Sequence, residues 1–166
     1  MKTSNFKKLK QLKRSFFTRD AHHVAPELLG KIIFCNGIFV RIHETEAYES
    51  NESSCHTFGN RKTPSILDMY LEGGHAYVYR SYGIHHCFNI VTGNKEDGQA
   101  VLIRGVEPIF LNNDDDSIMT LIKERRGNKI IKDNKLHELT NGPGKLTQAL
   151  AIDTSFSGLD MLDYPT

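Results

Sequence analysis

Residues Ile42 to Tyr48 read Ile-His-Glu-Thr-Glu-Ala-Tyr, and the fold turns on how this stretch is taken. Upstream, Lys31-Ile-Ile-Phe-Cys35 and Gly37-Ile-Phe-Val40 are apolar runs joined at Asn36-Gly37, a pair strongly favoured in two-residue hairpin turns. The pattern predicts strands near 31–35 and 38–48. Side chains alternate along an extended chain, so Glu44, Glu46 and Tyr48 share one face. Carboxylates that leave a buried strand together are costly unless paired or used. The stretch therefore reads as the floor of a site.

The chain has 166 residues, the size of one domain with a real core. Its formal net charge is +1, yet Lys2, Lys7, Lys8, Lys10, Lys13 and Arg14 put six positive charges and no negative one ahead of residue 15, leaving −5 for the remainder. Residues 1–15 read as a basic arm, suited to a polyanion or merely solvated, on a mildly acidic body over 16–166. Cys35, Cys55 and Cys87 are an odd count with no secretory apolar region, which fits a reduced, cytoplasmic protein. No window approaches the ~18 apolar residues of a membrane span, so no membrane partner is expected.

Further along, Asp20 is placed to cap a helix from Ala21 to Leu29 that closes at Gly30. Residues 49–65 are polar and turn-rich, a loop long enough to be functional. Gly73-Gly74 opens a hairpin: Ala76-Tyr-Val-Tyr-Arg80, a turn at Ser81-Tyr82-Gly83, and a return from Ile84 to Val91. A strand from Gly98 should end at Arg104. Asp114 to Asp116 can cap a helix over Ser117–Arg126, residues 128–139 read as loop or broken helix, and Asn141-Gly-Pro-Gly144 turns into a helix over Lys145–Ala151. There is no internal repeat. The expected class is α+β: a single compact domain, a mostly antiparallel mixed sheet and flanking helices.

Glu46, Tyr48, Tyr79 and Arg104 could form a pocket that holds a planar ring and orients a water; a structural Glu–Arg pair beside core tyrosines is equally compatible with the residues. Cys55-His56 and His85-His86-Cys87 invite a metal, but adjacent strand residues face opposite ways and no CxxC or HxxxH spacing occurs. His43-Glu-Thr-Glu-Ala47 lacks the second histidine of HExxH, and Asn141-Gly-Pro-Gly-Lys-Leu-Thr147 departs from the phosphate-binding loop pattern. Neither metal nor cofactor is expected. An aromatic ring at a hairpin tip, Tyr82, either packs on a neighbour or wedges into a base stack. The basic arm with Arg61 and Lys62 tilts the reading toward nucleic acid.

Glu44-Thr-Glu-Ala-Tyr48, His56, Tyr77-Val-Tyr79, Tyr82-Gly83, Asn89, Val101-Leu-Ile-Arg104, Glu107-Pro108 and Asn141-Gly-Pro-Gly-Lys145-Leu146, in this order over residues 28–152, resemble the alkyladenine (3-methyladenine) DNA glycosylases. The resemblance implies a monofunctional glycosylase, free of cofactors, that hydrolyses the N-glycosidic bond of alkylated or deaminated purines and leaves an abasic site. It implies double-stranded DNA with damaged purines as partner and a DNA-inserting hairpin that protrudes from a monomer. By the same resemblance Glu46 matches the general base and Arg104 the arginine that helps hold the water. Tyr48 and Tyr79 match the rings that sandwich the extruded base, His56 its edge contact, Asn89 the residue that obstructs normal guanine, and Tyr82 the intercalating wedge.

Two departures from the family pattern stand out. Thr63-Pro64 is followed by Ser65-Ile66 rather than Arg-Asn, so one phosphate-facing cation is lost. The chain stops at Thr166 where relatives continue through another basic segment, so a C-terminal truncation is expected. That leaves a damaged-DNA-binding relative with weak catalysis as the rival reading.

Overall fold

The computed structural model describes residues 9–110, 115–127 and 137–163. Five strands form one sheet: β1 (Ile32–Cys35), β2 (Ile38–Tyr48), β3 (Ala76–Ser81), β4 (His85–Thr92) and β5 (Gln99–Ile109), in the order β1-β2-β5-β4-β3. Every pairing is antiparallel. Helices α1 (Arg14–Phe17), α2 (Ala21–Leu28), α3 (Asp115–Arg125) and α4 (Pro143–Leu150) complete the fold, with short 3₁₀ segments in the loops.

The Asn36-Gly37 turn is as expected: both residues have positive φ, 49° and 83°, the conformation of a twisted two-residue hairpin. The side chain of Asn36 also donates to Leu150 O at 2.7 Å, which ties the turn to the end of α4. Asp20 stands at the start of α2, but its side chain makes no cap bond; the first amide of α2, Ala21 N–H, instead donates to Gln99 Oε1 at 3.0 Å. The loop over 49–65 runs into a 3₁₀ segment, Pro64–Tyr70.

Strand β5 does not stop at Arg104. It continues to Ile109, through Pro108 opposite Val40. A proline is tolerated because, among the described residues, β4 pairs with β5 over Gln99 to Leu102 and the far half of β5 has β2 alone as strand neighbour. The expected cap residue Asp114 lies outside the described residues, as do 128–136 of the expected broken segment and 1–8 of the basic arm. Arg14 of that arm is anchored: it donates to Gly73 O at 2.9 Å and pairs with Asp160.

The sheet has two differently covered faces. Ile38, Val40 and Ile42 of β2, Ala76 and Val78 of β3, Phe88 and Ile90 of β4 and Val101, Ile103 and Val106 of β5 join the main core with α2 and α4. The opposite face carries a smaller cluster in which Tyr77, Val91 and Ala100 meet Cys55, Ile66 and Met69 from the 49–70 segment. The site lies on this second face.

Candidate active site

Strands β2 and β5 exchange faces midway. Ile42 pairs with Val106, Glu44 with Gly105 and Thr45 with Ile103, so the register shifts twice within three residues. His43 is the extra residue on β2 and Arg104 the extra residue on β5. Above the shift Ile42 points into the main core; below it Ala47 packs there and Thr45 Oγ1 donates to Ala25 O at 3.0 Å. Glu44, Glu46 and Tyr48 are thereby turned to the second face, and Arg104 faces them.

There one guanidinium serves two carboxylates. Arg104 donates from Nε to Glu44 Oε1 at 3.2 Å and from a terminal nitrogen to Glu46 Oε2 at 2.6 Å. These bonds hold Arg104 firmly protonated, Glu44 contributing most and Glu46 next. Glu44, Glu46 and Arg104 are all partly exposed, and such pairs add only ~0–1 kcal/mol to stability.

The register continues the row across the sheet. Glu46 pairs with Leu102, Leu102 with Asn89 and Asn89 with Tyr77. Around it, Tyr48, His56, Tyr79, Asn89, Tyr77, Cys55 and Met69 line a cleft with a void of about 50 Å³. His56 Nδ1 meets the Tyr77 hydroxyl at 2.8 Å, and the His56 ring stands edge-on to Tyr79 with centroids 4.5 Å apart. Tyr77 and Tyr79 stack at 5.6 Å. The Asn89 amide is buried and donates to Tyr77 O at 3.1 Å, which fixes its orientation.

Burial, with the Arg61 charge second, lowers the pKa of His56 and keeps its ring neutral. Burial, then the Glu46 carboxylate beside it, pushes the Tyr48 phenol up to about 12. Burial also raises Tyr79 and Tyr77, so all three rings stay uncharged. Beside the cleft, a groove of about 880 Å³ runs along Arg61, Ser65, Arg80 and Tyr82. Tyr82 occupies the β3–β4 turn at φ 50° and is 97% exposed, with Ile84 beside it 69% exposed. Lys62, expected to face a polyanion, instead pairs with Glu96 and lies 4.5 Å from the Tyr70 ring centroid.

The structure thus gathers Glu46, Tyr48, His56, Tyr79, Asn89 and Arg104, with Tyr82 apart at the turn. Sequence reasoning put Glu44 on the floor of the site through the period-2 pattern but gave it no chemical task, and it gave no individual role to Tyr77 or Leu102, which appeared only within the motif stretches. Of the residues weighed as metal ligands, Cys55 lies 3.1 Å from Thr57 Oγ1 and His56 bonds Tyr77. Among the described residues no three His, Cys, Asp or Glu side chains are grouped to hold an ion.

Residues 15–166 match the family described as Methylpurine-DNA glycosylase (MPG). The chain belongs to the methylpurine-DNA glycosylase family.

Curated relatives extend the match. A protein of Natranaerobius thermophilus is 43% identical over 157 residues, 92% of this chain and 74% of the relative; one of Clostridium novyi is 44% identical over 159 residues, 92% and 76%. Both carry the name "Putative 3-methyladenine DNA glycosylase". The "DNA-3-methyladenine glycosylase" of Arabidopsis thaliana is 41% identical over 171 residues, 98% of this chain and 62% of the relative. Family membership makes the chain a DNA-repair glycosylase, a hydrolase of N-glycosyl bonds. Among the described residues no helix is long and apolar enough to cross a membrane.

Proposed function

We propose that this glycosylase excises alkylated and deaminated purines, 3-methyladenine, 7-methylguanine and hypoxanthine among them, from duplex DNA by base flipping and leaves an abasic site. It acts as a cytoplasmic monomer without metal or cofactor, reaching its substrate through DNA. The observation that carries the reading is the Glu46–Arg104 pair at 2.6 Å, set on the sheet face beside a cleft walled by uncharged aromatic rings.

The sugar carbon is inaccessible inside a stacked duplex, so the nucleotide must swing out at a cost of a few kcal/mol. Tyr82 is exposed and free to enter the gap, and stacking returns roughly 1–3 kcal/mol per base. The purine enters between Tyr48 and Tyr79, with neutral His56 on its edge and Asn89 beneath. An alkylated purine is cationic. Electron-rich phenol faces attract it, and a neutral histidine does not repel it. The buried Asn89 amide, held by Tyr77 O, crowds the exocyclic amino group of a guanine ring, so normal guanine is disfavoured and 7-methylguanine reacts through its weakened, cationic glycosidic bond.

Glu46 takes a proton from a water steered by Arg104. The water oxygen bonds to C1′ as the C1′–N9 bond breaks; the bonding pair leaves with an alkylated purine and neutralises its cationic ring, whereas neutral hypoxanthine takes up a proton from solvent on a ring nitrogen as it leaves. The carboxylate also stabilises the oxocarbenium-like charge at the sugar.

Incubation of wild type and Glu46→Gln with duplexes carrying one 3-methyladenine or hypoxanthine tests this. Free base and alkali-labile sites should accumulate with wild type and fall at least a hundredfold with Glu46→Gln. Equal release by both removes Glu46 from the mechanism. Tight lesion binding with no release by either leaves a binding protein.

A further inference from the structure

Glu44 has no part in the chemistry just described, yet it holds the same guanidinium as Glu46. Three observations suggest that this is a device. First, the double register shift brings Glu44 opposite Gly105 and leaves Arg104 as the unpaired extra residue of β5, so the local backbone is built to turn Arg104 toward two acids at once. Second, the two bonds use different parts of the fork. Glu44 takes Nε–H near the stem and Glu46 takes a terminal N–H. A bond at Nε fixes the plane of the guanidinium, and that plane decides where the terminal nitrogens point. Third, the same two strands supply a contrast. Arg41 and Glu107, just beyond the shift, make a comparable cross-strand pair at 3.5 Å that touches nothing in the cleft.

We propose that Glu44 is a positioning residue: it locks the guanidinium of Arg104 so that Arg104 can orient Glu46 and its water. The inference rests on the glycosylase reading above. A free arginine samples many rotamers, and only a minority would present a terminal N–H to Glu46. The other groups near Glu46 are Tyr48 on its own strand and, beyond that ring, Tyr79 on β3 and Cys87 on β4. None of them contacts Arg104 by hydrogen bond among the described residues, so Glu44 has no substitute.

Single-turnover excision of hypoxanthine from a duplex reads the effect. Glu44→Gln should slow the step by about three- to tenfold, with the Kd for the lesion duplex and the melting temperature unchanged. Glu44→Asp should recover part of the rate, and Glu107→Gln should match wild type. In an Arg104→Gln background, Glu44→Gln should cost nothing further. Wild-type rates in Glu44→Gln, or equal losses with and without Arg104, overturn the proposal while leaving Glu46 in place.

A second measurement is independent of turnover. In the free protein the ¹⁵N–{¹H} NOE of Arg104 Nε–H should fall in Glu44→Gln and stay unchanged in Glu107→Gln. An unchanged NOE overturns the positioning role whatever the activity shows. A normal fall in NOE with a fully active Glu46→Gln instead faults the glycosylase mechanism.

Discussion

The hydroxyl of Tyr77 and Nδ1 of His56 meet at 2.8 Å, joining a buried strand residue to the loop that closes the cleft. The bond fixes the histidine ring edge-on to Tyr79 and assigns which ring nitrogen faces the cleft. Replacing Tyr77 by Phe keeps the ring and removes the partner. A part-buried His56 nitrogen is then unsatisfied, a loss of about 1–3 kcal/mol. The unfolding free energy from urea titration should fall by that amount, and excision should slow further than the folded fraction explains.

The same histidine predicts an acid limit. Burial holds the folded pKa of His56 below its ordinary value, so the native state favours the neutral ring. The unfolded chain takes up the proton first as pH falls. The contribution of His56 to stability is therefore complete above its ordinary value of about 6.5 and is lost as pH drops from there toward the lower folded value. Activity on cationic 3-methyladenine should fall at lower pH, as the depressed folded value of His56 is passed, because a charged ring would repel the substrate. Melting temperature against pH for wild type and His56→Gln checks the first claim. The acid limb of excision in the two proteins checks the second.

Tyr82 predicts a clean separation of stability from function. The side chain is 97% exposed, so Tyr82→Ala should change stability by less than about 0.5 kcal/mol. Loss of a stacking ring worth roughly 1–3 kcal/mol should slow excision from duplex DNA about tenfold or more. Excision from a single strand, where there is no stack to fill, should change little. Equal losses on both substrates would place Tyr82 outside the duplex.

Gly73 tests the opposite end of the sheet. A Cβ there would lie 2.3 Å from Phe17 O, a backbone atom that cannot swing aside, and 3.0 Å from Gly93 O. Phe17 O already accepts from Gly93 N at 3.0 Å, and Gly73 O accepts from Arg14 at 2.9 Å. Gly73→Ala should therefore loosen α1 and cost about 1–3 kcal/mol. For a chain of this size each kcal/mol lowers the melting temperature by ~2–4 °C. The excision rate of the folded fraction, measured at low temperature, should be unchanged because the cleft is built elsewhere.

Much of this protein was legible in one dimension. Asn36-Gly37 supplied its own turn, since only a residue pair tolerant of positive φ closes so tight a hairpin. The period-2 spacing of Glu44, Glu46 and Tyr48 placed them together, and the Gly73-Gly74 to Val91 run announced β3 and β4. These are properties of neighbours along the chain, where dihedral preference and side-chain alternation decide the outcome. The sequence did not reveal that β5 enters between β2 and β4, that it runs on through Pro108, or that both strands change face at His43 and Arg104. Alternation alone would have put Ile42 beside Glu44, whereas the paired register shift sends Ile42 into the core and Glu44 to Arg104. A bulge exists only relative to a partner strand, and the partner is chosen by burial of both sheet faces at once. So local chemistry determined which residues were able to form the cleft, and long-range packing determined how Arg104 meets both carboxylates and that Tyr77 would hold His56.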